Sequence, residues 1–140
     1  GRRGCWERYA SATALIAQTK DEMRHAQDSM MWELVDNNID AVNGRTAFDA
    51  MRKGDVAGKR VVDRYIYYVA CGIINAINIF QPEIICVGGG IGHEKETLLE
   101  PLRQHVRRER YSMYSSKQTR ICSAELGNDA GVIGAALLDH

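Results

Sequence analysis

The sequence has no excess of charge of either sign, because 18 Lys and Arg residues stand against 18 Asp and Glu residues among its 140 positions. No net electrostatic field attracts it to nucleic acid or to anionic lipid, so we expect neither as a partner. The densest basic run, 103–110, also contains Glu109. We interpret this run as a solvated helix face in preference to a phosphate-binding patch.

Long apolar runs are also missing. No stretch reaches the roughly 20 apolar residues that a helix needs to cross a bilayer, and no charged-then-apolar leader precedes Cys5. We therefore expect a cytoplasmic protein with reduced thiols and no membrane partner. Apolar residues make up 45% of the sequence and charged residues 26%, which is typical of a folded globular protein.

Cysteine is scarce and irregularly spaced, with four residues at positions 5, 71, 86 and 122. This spacing matches neither a disulfide scaffold nor a closed zinc site. Cys71, Cys86 and Cys122 lie within apolar runs and are predicted to be small buried core residues. Cys5 stands apart, in the motif Gly4-Cys5-Trp6-Glu7.

Proline is nearly absent, and one of its two occurrences ends the clearest helix. Asp55 is a predicted N-cap, and Pro82 cannot continue a helix because it lacks an N–H. Between them, apolar residues at steps of three or four predict one buried stripe, made of Val62, Ile66, Val69, Ile73, Ile77 and Phe80. Gly72 falls off the stripe, on a second face suited to close packing.

The remaining pattern predicts an α/β protein. Further helices are predicted at 5–24, 46–52, 96–110 and 130–138, and strands at 84–87 and 120–126, the first of them buried on both faces. A right-handed crossover would make the two strands parallel. Such a small sheet leaves an open edge, which favours pairing with another chain, so we expect a homo-oligomer.

A glycine turn, Gly88-Gly89-Gly90, follows the first predicted strand directly. Glycines at the carboxyl end of a strand let backbone N–H groups approach a phosphate or a nucleotide, although a tight strand-to-helix turn explains them equally well. The dinucleotide-binding pattern fails at His93, and no P-loop is present. Glu7, taken on local pattern alone, is a first-turn partner of a helix dipole.

Three segments, taken in order, carry a family resemblance. Residues 1–7, Gly-Arg-Arg-Gly-Cys-Trp-Glu, are similar to the second half of the signature C-x-C-G-x-x-G-C-x-E. Residues 81–92 resemble an adenosine-side glycine motif, and residues 127–136 resemble the closing segment of the same proteins. The chain thus resembles the ROK family of bacterial sugar kinases over nearly its whole length.

The resemblance implies an actin-like ATPase fold of the ribonuclease H-like type, with residues 1–140 as the C-terminal part of the large domain. It implies an ATP-dependent hexose kinase, a glucokinase, that uses ATP with Mg²⁺. Glu7 would bind sugar hydroxyls, Cys5 would be one ligand of a structural zinc, and the nucleotide pocket would be lined by Gly88, Gly89 and Gly90.

The same resemblance implies what these residues do not contain. The other zinc ligands, the phosphate-binding hairpin and the catalytic aspartate would precede Gly1. The chain alone is therefore predicted to be inactive and not to hold zinc tightly. Two other functions stay open: the sugar-sensing domain of a ROK transcriptional repressor, whose DNA-binding module would also lie upstream, and a stand-alone α/β binding module.

Overall fold

The computed structural model describes residues 4–126 and 129–137. The helices are α1 Glu7–Ala10, α2 Ala12–His25, α3 Thr46–Arg52, α4 Val56–Phe80, α5 Glu96–Glu109 and α6 Ala130–Ala136, and the strands are β1 Ile84–Val87 and β2 Arg120–Ser123. Short 3-10 turns lie at Glu33–Val35, Ile39–Ala41 and Gly90–Glu94. The chain divides between Asn75 and Ala76 into two compact units, and this boundary falls within α4.

The first predicted helix is wrong in one respect, because it is interrupted at Ser11. The backbone of Ser11 is extended (φ −82°, ψ 165°), and its Oγ accepts a hydrogen bond of 3.1 Å from the Ala14 N–H. Serine at this position caps α2 and leaves α1 as a separate turn of helix. Leu15 and Met23 of α2 are buried in the first unit.

The start of α4 confirms the predicted N-cap. The Asp55 carboxylate accepts hydrogen bonds from the Gly58 N–H (2.5 Å) and from the Met30 N–H (2.7 Å), so it also fixes the preceding loop. Five members of the predicted stripe are buried: Val62, Ile66, Val69, Ile73 and Ile77. The sixth, Phe80, is wrong as a core residue, because 76% of it is exposed at the end of the helix.

The second unit contains the predicted parallel pair. β1 pairs with β2 in the register Ile84 to Arg120 through Val87 to Ser123, and β2 is shorter than predicted. Helix α5 packs its apolar stripe inward, with Leu98, Leu102 and Val106 buried. Its Arg103 guanidinium donates to the Ile121 carbonyl at 3.0–3.1 Å, which ties the helix to β2.

The strand β1 is less buried than its apolar composition predicts. Ile84 is 41% exposed and Cys86 is also exposed. Among the described residues β1 pairs only with β2, so one edge of the strand has no neighbour. Residues 127 and 128, the first two of the closing segment, lie outside the described residues. No helix in the described ranges combines the length and the hydropathy that a bilayer span requires.

Candidate functional site

Glu7 is the first residue of α1 and projects into a cavity of about 510 Å³, which Cys5, Ser11 and Thr13 also line. The turn that leads to it needs a glycine, because Gly4 has a φ of +79°. The Glu7 carboxylate is exposed and forms no hydrogen bond or ion pair with any residue in the described ranges. Its acceptor capacity is therefore available to a ligand.

The short helix that carries Glu7 is braced against α4. The Trp6 indole donates from Nε1 to the Tyr68 carbonyl at 2.8 Å, and the Tyr65 hydroxyl donates to the Ala10 carbonyl at 2.9 Å. Burial raises the pKa of Tyr65, so the phenol stays neutral and keeps its proton for this bond. The rings of Tyr9 and Tyr68 pack with their centroids 5.0 Å apart. The backbone of Glu7 is thus held between two anchored residues, Trp6 and Ala10.

Close packing of Trp6 depends on a glycine in α4. A Cβ added at Gly72 would lie 2.0 Å from Trp6 Cε2, a distance that no side chain tolerates. The small face that was predicted around Gly72 therefore receives an indole ring. The pattern predicted the face, but its occupant is 66 positions away in the sequence and no local signal identifies it.

Few residues around Cys5 could serve as zinc ligands. Cys5 is exposed, and the described residues contain no group of three His, Cys, Asp or Glu side chains that could hold a metal ion. A structural zinc takes four ligands, of which Cys5 alone supplies one. These residues by themselves do not fit zinc, and no step below depends on it.

The glycine turn after β1 has a backbone that only glycine adopts readily. Gly89 lies at φ +70° and ψ −168°, a region that is essentially restricted to glycine. Apart from the chain neighbours, no described residue has a heavy atom within 4 Å of the ideal Cβ position of Gly89 or Gly90, so the backbone there is open to approach. Gly88 is more confined, with the Ala124 Cβ 3.3 Å from its own ideal Cβ position.

Gly88 and Gly89 form one wall of a cavity of about 600 Å³ in the second unit. Lys95 and Ser123 also line it, and the Ser123 hydroxyl donates to the Gly92 carbonyl at 3.2 Å, which holds the turn beside the end of β2. Lys95 directly precedes α5, so an ammonium group and the positive end of a helix dipole lie beside the cavity. Arg103, Glu96 and Glu125 also line the cavity, so its charged lining contains groups of both signs.

Gly88 and Gly89, which were predicted to line a nucleotide pocket, line this cavity, whereas Lys95 and Ser123 were not predicted. Ser123 lies beside the glycines through the register of the two strands, and Lys95 through its position before α5. Gly90, the third predicted residue, does not line this cavity; it begins the 3-10 turn and is exposed.

The prediction that Cys86 and Cys122 are buried core residues is wrong, because Cys86 is exposed and Cys122 is half-buried. They are partners in the β1–β2 register, and their Sγ atoms lie 3.5 Å apart. The hydrogen bond that the Cys86 thiol forms with Cys122, followed by desolvation, raises the pKa of Cys86. No sequence pattern reports this pairing, because it depends on the register of two strands that are 36 positions apart.

Comparison with known proteins gives consistent matches. The ROK family profile matches residues 1–140. A glucokinase of Thermotoga maritima is 35% identical over 137 residues, which are 97% of this chain and 42% of the glucokinase. A ROK family glucokinase of Streptomyces griseus, solved in complex with glucose and AMPPNP, matches with a TM-score of 0.85 and 30% identity over 97% of this chain and 44% of that one.

A regulator is also similar: the xylose repressor of Bacillus subtilis is 26% identical over 144 aligned residues, which cover 100% of this chain and 33% of the repressor. The chain spans 41–44% of the length of the glucokinases that it matches. The predicted fold is confirmed as a helix-rich, actin-like arrangement with a small parallel sheet. The chain belongs to the ROK family.

Proposed function

We propose that this chain is part of an ATP-dependent hexose kinase that prefers glucose. The observation that carries the proposal is the Glu7 carboxylate, which lies in an open cavity on a braced helix and has no partner among the described residues. A backbone held in place and a carboxylate with unused acceptor capacity suit the recognition of hydroxyl groups. The similarity to a glucokinase solved with glucose and AMPPNP supports the choice of substrates.

Glu7 would act by accepting hydrogen bonds from neighbouring hydroxyl groups of the sugar. An ionised carboxylate is an acceptor only, and its two oxygens can serve two hydroxyls at once. An analogue that lacks one of these hydroxyls leaves the carboxylate desolvated and unpaired, so the arrangement favours polyhydroxylated substrates. The fixed position of Trp6 keeps the entropic cost of this recognition low.

The nucleotide would bind at the cavity beside Gly88 and Gly89. The open backbone at Gly89 admits a ligand without steric conflict, and Lys95 offers a positive charge to its phosphates. Mg²⁺ would arrive with ATP, since this ion is held mainly by phosphate oxygens and water. Catalysis of phosphoryl transfer then rests on positioning and charge stabilisation. We propose that the general base is a residue outside 1–140.

A sugar-responsive repressor is the second candidate, and the similarity to the xylose repressor favours it. The two functions are separated by ADP release, which only the kinase produces in the presence of a hexose. The full-length product of the gene that encodes this chain should release ADP with glucose and ATP. Sugar binding without ADP release, together with sugar-dependent DNA binding, would favour the repressor instead.

Two further expectations belong to this proposal. A kinase that uses ATP and glucose would work in the cytoplasm, which cell fractionation tests. The free edge of β1 would pair with a second copy of the chain, which sedimentation velocity at several concentrations tests. A monomer at every concentration would contradict the second expectation.

A further inference from the structure

The second unit contains another cavity, of about 430 Å³, whose walls are rich in arginine. It lies between the C-terminal half of α5 and the segment that leads into β2, and its charged lining consists of Arg103, Arg107, Arg110 and Arg120. No Asp or Glu belongs to the lining within the described residues. Because the sequence as a whole has no net charge, four guanidinium groups around one cavity are a local concentration of positive charge.

Three of these arginines have no anionic partner in the described ranges. Arg103 is neutralised, because its guanidinium pairs with the Glu96 carboxylate at 2.7 Å. Arg107, Arg110 and Arg120 form no ion pair with a described residue. The Nε atom of Arg110 is buried and has no hydrogen-bond acceptor within the described residues. A buried donor without an acceptor is costly, so the described residues do not fully satisfy the Arg110 guanidinium, which belongs to a side chain that lines the cavity.

The arginine-rich cavity lies away from the glycine turn. Arg120 pairs with Ile84 at the amino end of the two parallel strands, whereas Gly88 and Gly89 follow their carboxyl end. Arg103 is the residue shared by the described linings of the two cavities. The interpretation of 103–110 as a solvated helix face is therefore incomplete, because Arg107 and Arg110 line one cavity together with Arg120 of β2.

We infer that this cavity is a binding site for a phosphate group, either free inorganic phosphate or a phosphate monoester. One carboxylate is satisfied by a single bidentate guanidinium, whereas a phosphate carries a charge of about −1.5 to −2 and three terminal oxygens to share among several guanidinium groups. Three unpaired guanidinium groups therefore match a tetrahedral dianion better than a carboxylate. The inference does not depend on the proposed kinase function.

Isothermal titration of the full-length gene product with inorganic phosphate, and separately with glycerol phosphate as a monoester, tests the site. Arg110→Gln should weaken binding by about tenfold or more, the factor that corresponds to one lost charge-assisted hydrogen bond. Arg107→Gln, at an exposed position, should also weaken it and should leave folding intact. Added NaCl should weaken binding in the wild type, because salt screens the charges.

Two control variants separate this site from other sources of binding. Arg108→Gln lies on the same helix but outside the cavity, where Arg108 pairs with Glu109, so phosphate affinity should not change. Glu33→Gln, at an exposed position that lines neither this cavity nor the one beside the glycine turn, should also leave phosphate affinity unchanged.

Three results for phosphate would overturn the inference. They are no binding by the wild type, an affinity that is the same in the wild type, Arg107→Gln and Arg110→Gln, or a loss of affinity in Arg108→Gln as large as that in Arg110→Gln. A fourth such result is tighter binding of a single-stranded oligonucleotide than of either phosphate ligand. The monoester arm decides the source, since tighter binding of glycerol phosphate than of inorganic phosphate indicates an esterified ligand.

Discussion

The indole ring of Trp6 lies directly against the backbone of Gly72, at a distance that leaves no room for a Cβ. The same indole donates a hydrogen bond to the Tyr68 carbonyl, one helical turn before Gly72. Glu7 follows Trp6 in the sequence. The position of this candidate sugar-binding residue therefore depends on Gly72, which does not itself line the Glu7 cavity.

Gly72→Ala should destabilise the protein, because the new Cβ would fall 2.0 Å from Trp6 Cε2 and would force the indole away from its carbonyl partner. We expect a loss of about 1–3 kcal/mol in the free energy of unfolding, as for other overpacked sites. Urea denaturation measures it. Gly44→Ala is the matched control, since Gly44 has open space and no positive φ. Equal stability of the two variants would contradict the packing argument.

Glu7→Gln should weaken sugar binding while it preserves the shape of the side chain. A charge-assisted hydrogen bond is worth about 1.5–3 kcal/mol, so the KM for glucose should rise by about tenfold or more while the KM for ATP barely changes. Steady-state kinetics on the full-length gene product measure both values. Glu33→Gln, at an exposed position outside this cavity, should change neither. An unchanged KM for glucose in Glu7→Gln would show that Glu7 does not bind the sugar.

Gly89→Val should abolish ATP binding before it affects sugar binding. Valine at φ +70° is strained and would place a branched side chain into the open space beside the turn. Fluorescence titration with AMPPNP and with glucose compares the two affinities. Gly54→Val provides the control for backbone strain, because Gly54 also has a positive φ but lies outside the cavity. If Gly89→Val keeps its affinity for AMPPNP in a folded protein, the turn is only structural.

Cys122→Ala should make Cys86 more reactive toward alkylation. The Cys122 hydrogen bond raises the pKa of Cys86, so its removal lowers that pKa and increases the thiolate fraction at about pH 8, where the thiolate is the nucleophile. Iodoacetamide labelling followed by peptide mass spectrometry gives the rate at Cys86, with Cys71→Ala as the control. A slower rate in Cys122→Ala than in the wild type would show that the hydrogen bond with Cys122 does not keep the Cys86 thiol protonated.

Elements with local signals could be predicted from the sequence. Asp55 as a cap and Pro82 as a breaker bound α4 closely, and the uninterrupted apolar run gave β1 its correct limits. The break at Ser11 was missed because a serine within an apolar helical pattern either caps or faces solvent, and the pattern does not distinguish these cases. Phe80 fits the stripe by spacing, but burial depends on what packs there.

The candidate sites were predictable only in part. Glu7, Gly88 and Gly89 lie in contiguous motifs, so resemblance to a family found them. Lys95 lies beside the glycines because of the position of α5, and Cys86 lies beside Cys122 because of strand register. No short motif encodes either arrangement. The arginine-rich cavity likewise joins residues of α5 with residues of β2.

Phosphorylation of a hexose by ATP is measured by a coupled ADP-release assay on the full-length gene product. Glucose, fructose, mannose and N-acetylmannosamine are each supplied with ATP and Mg²⁺. We expect ADP release that requires a hexose and is fastest with glucose. A folded protein that binds glucose and yet releases no ADP with any of the four sugars would contradict it.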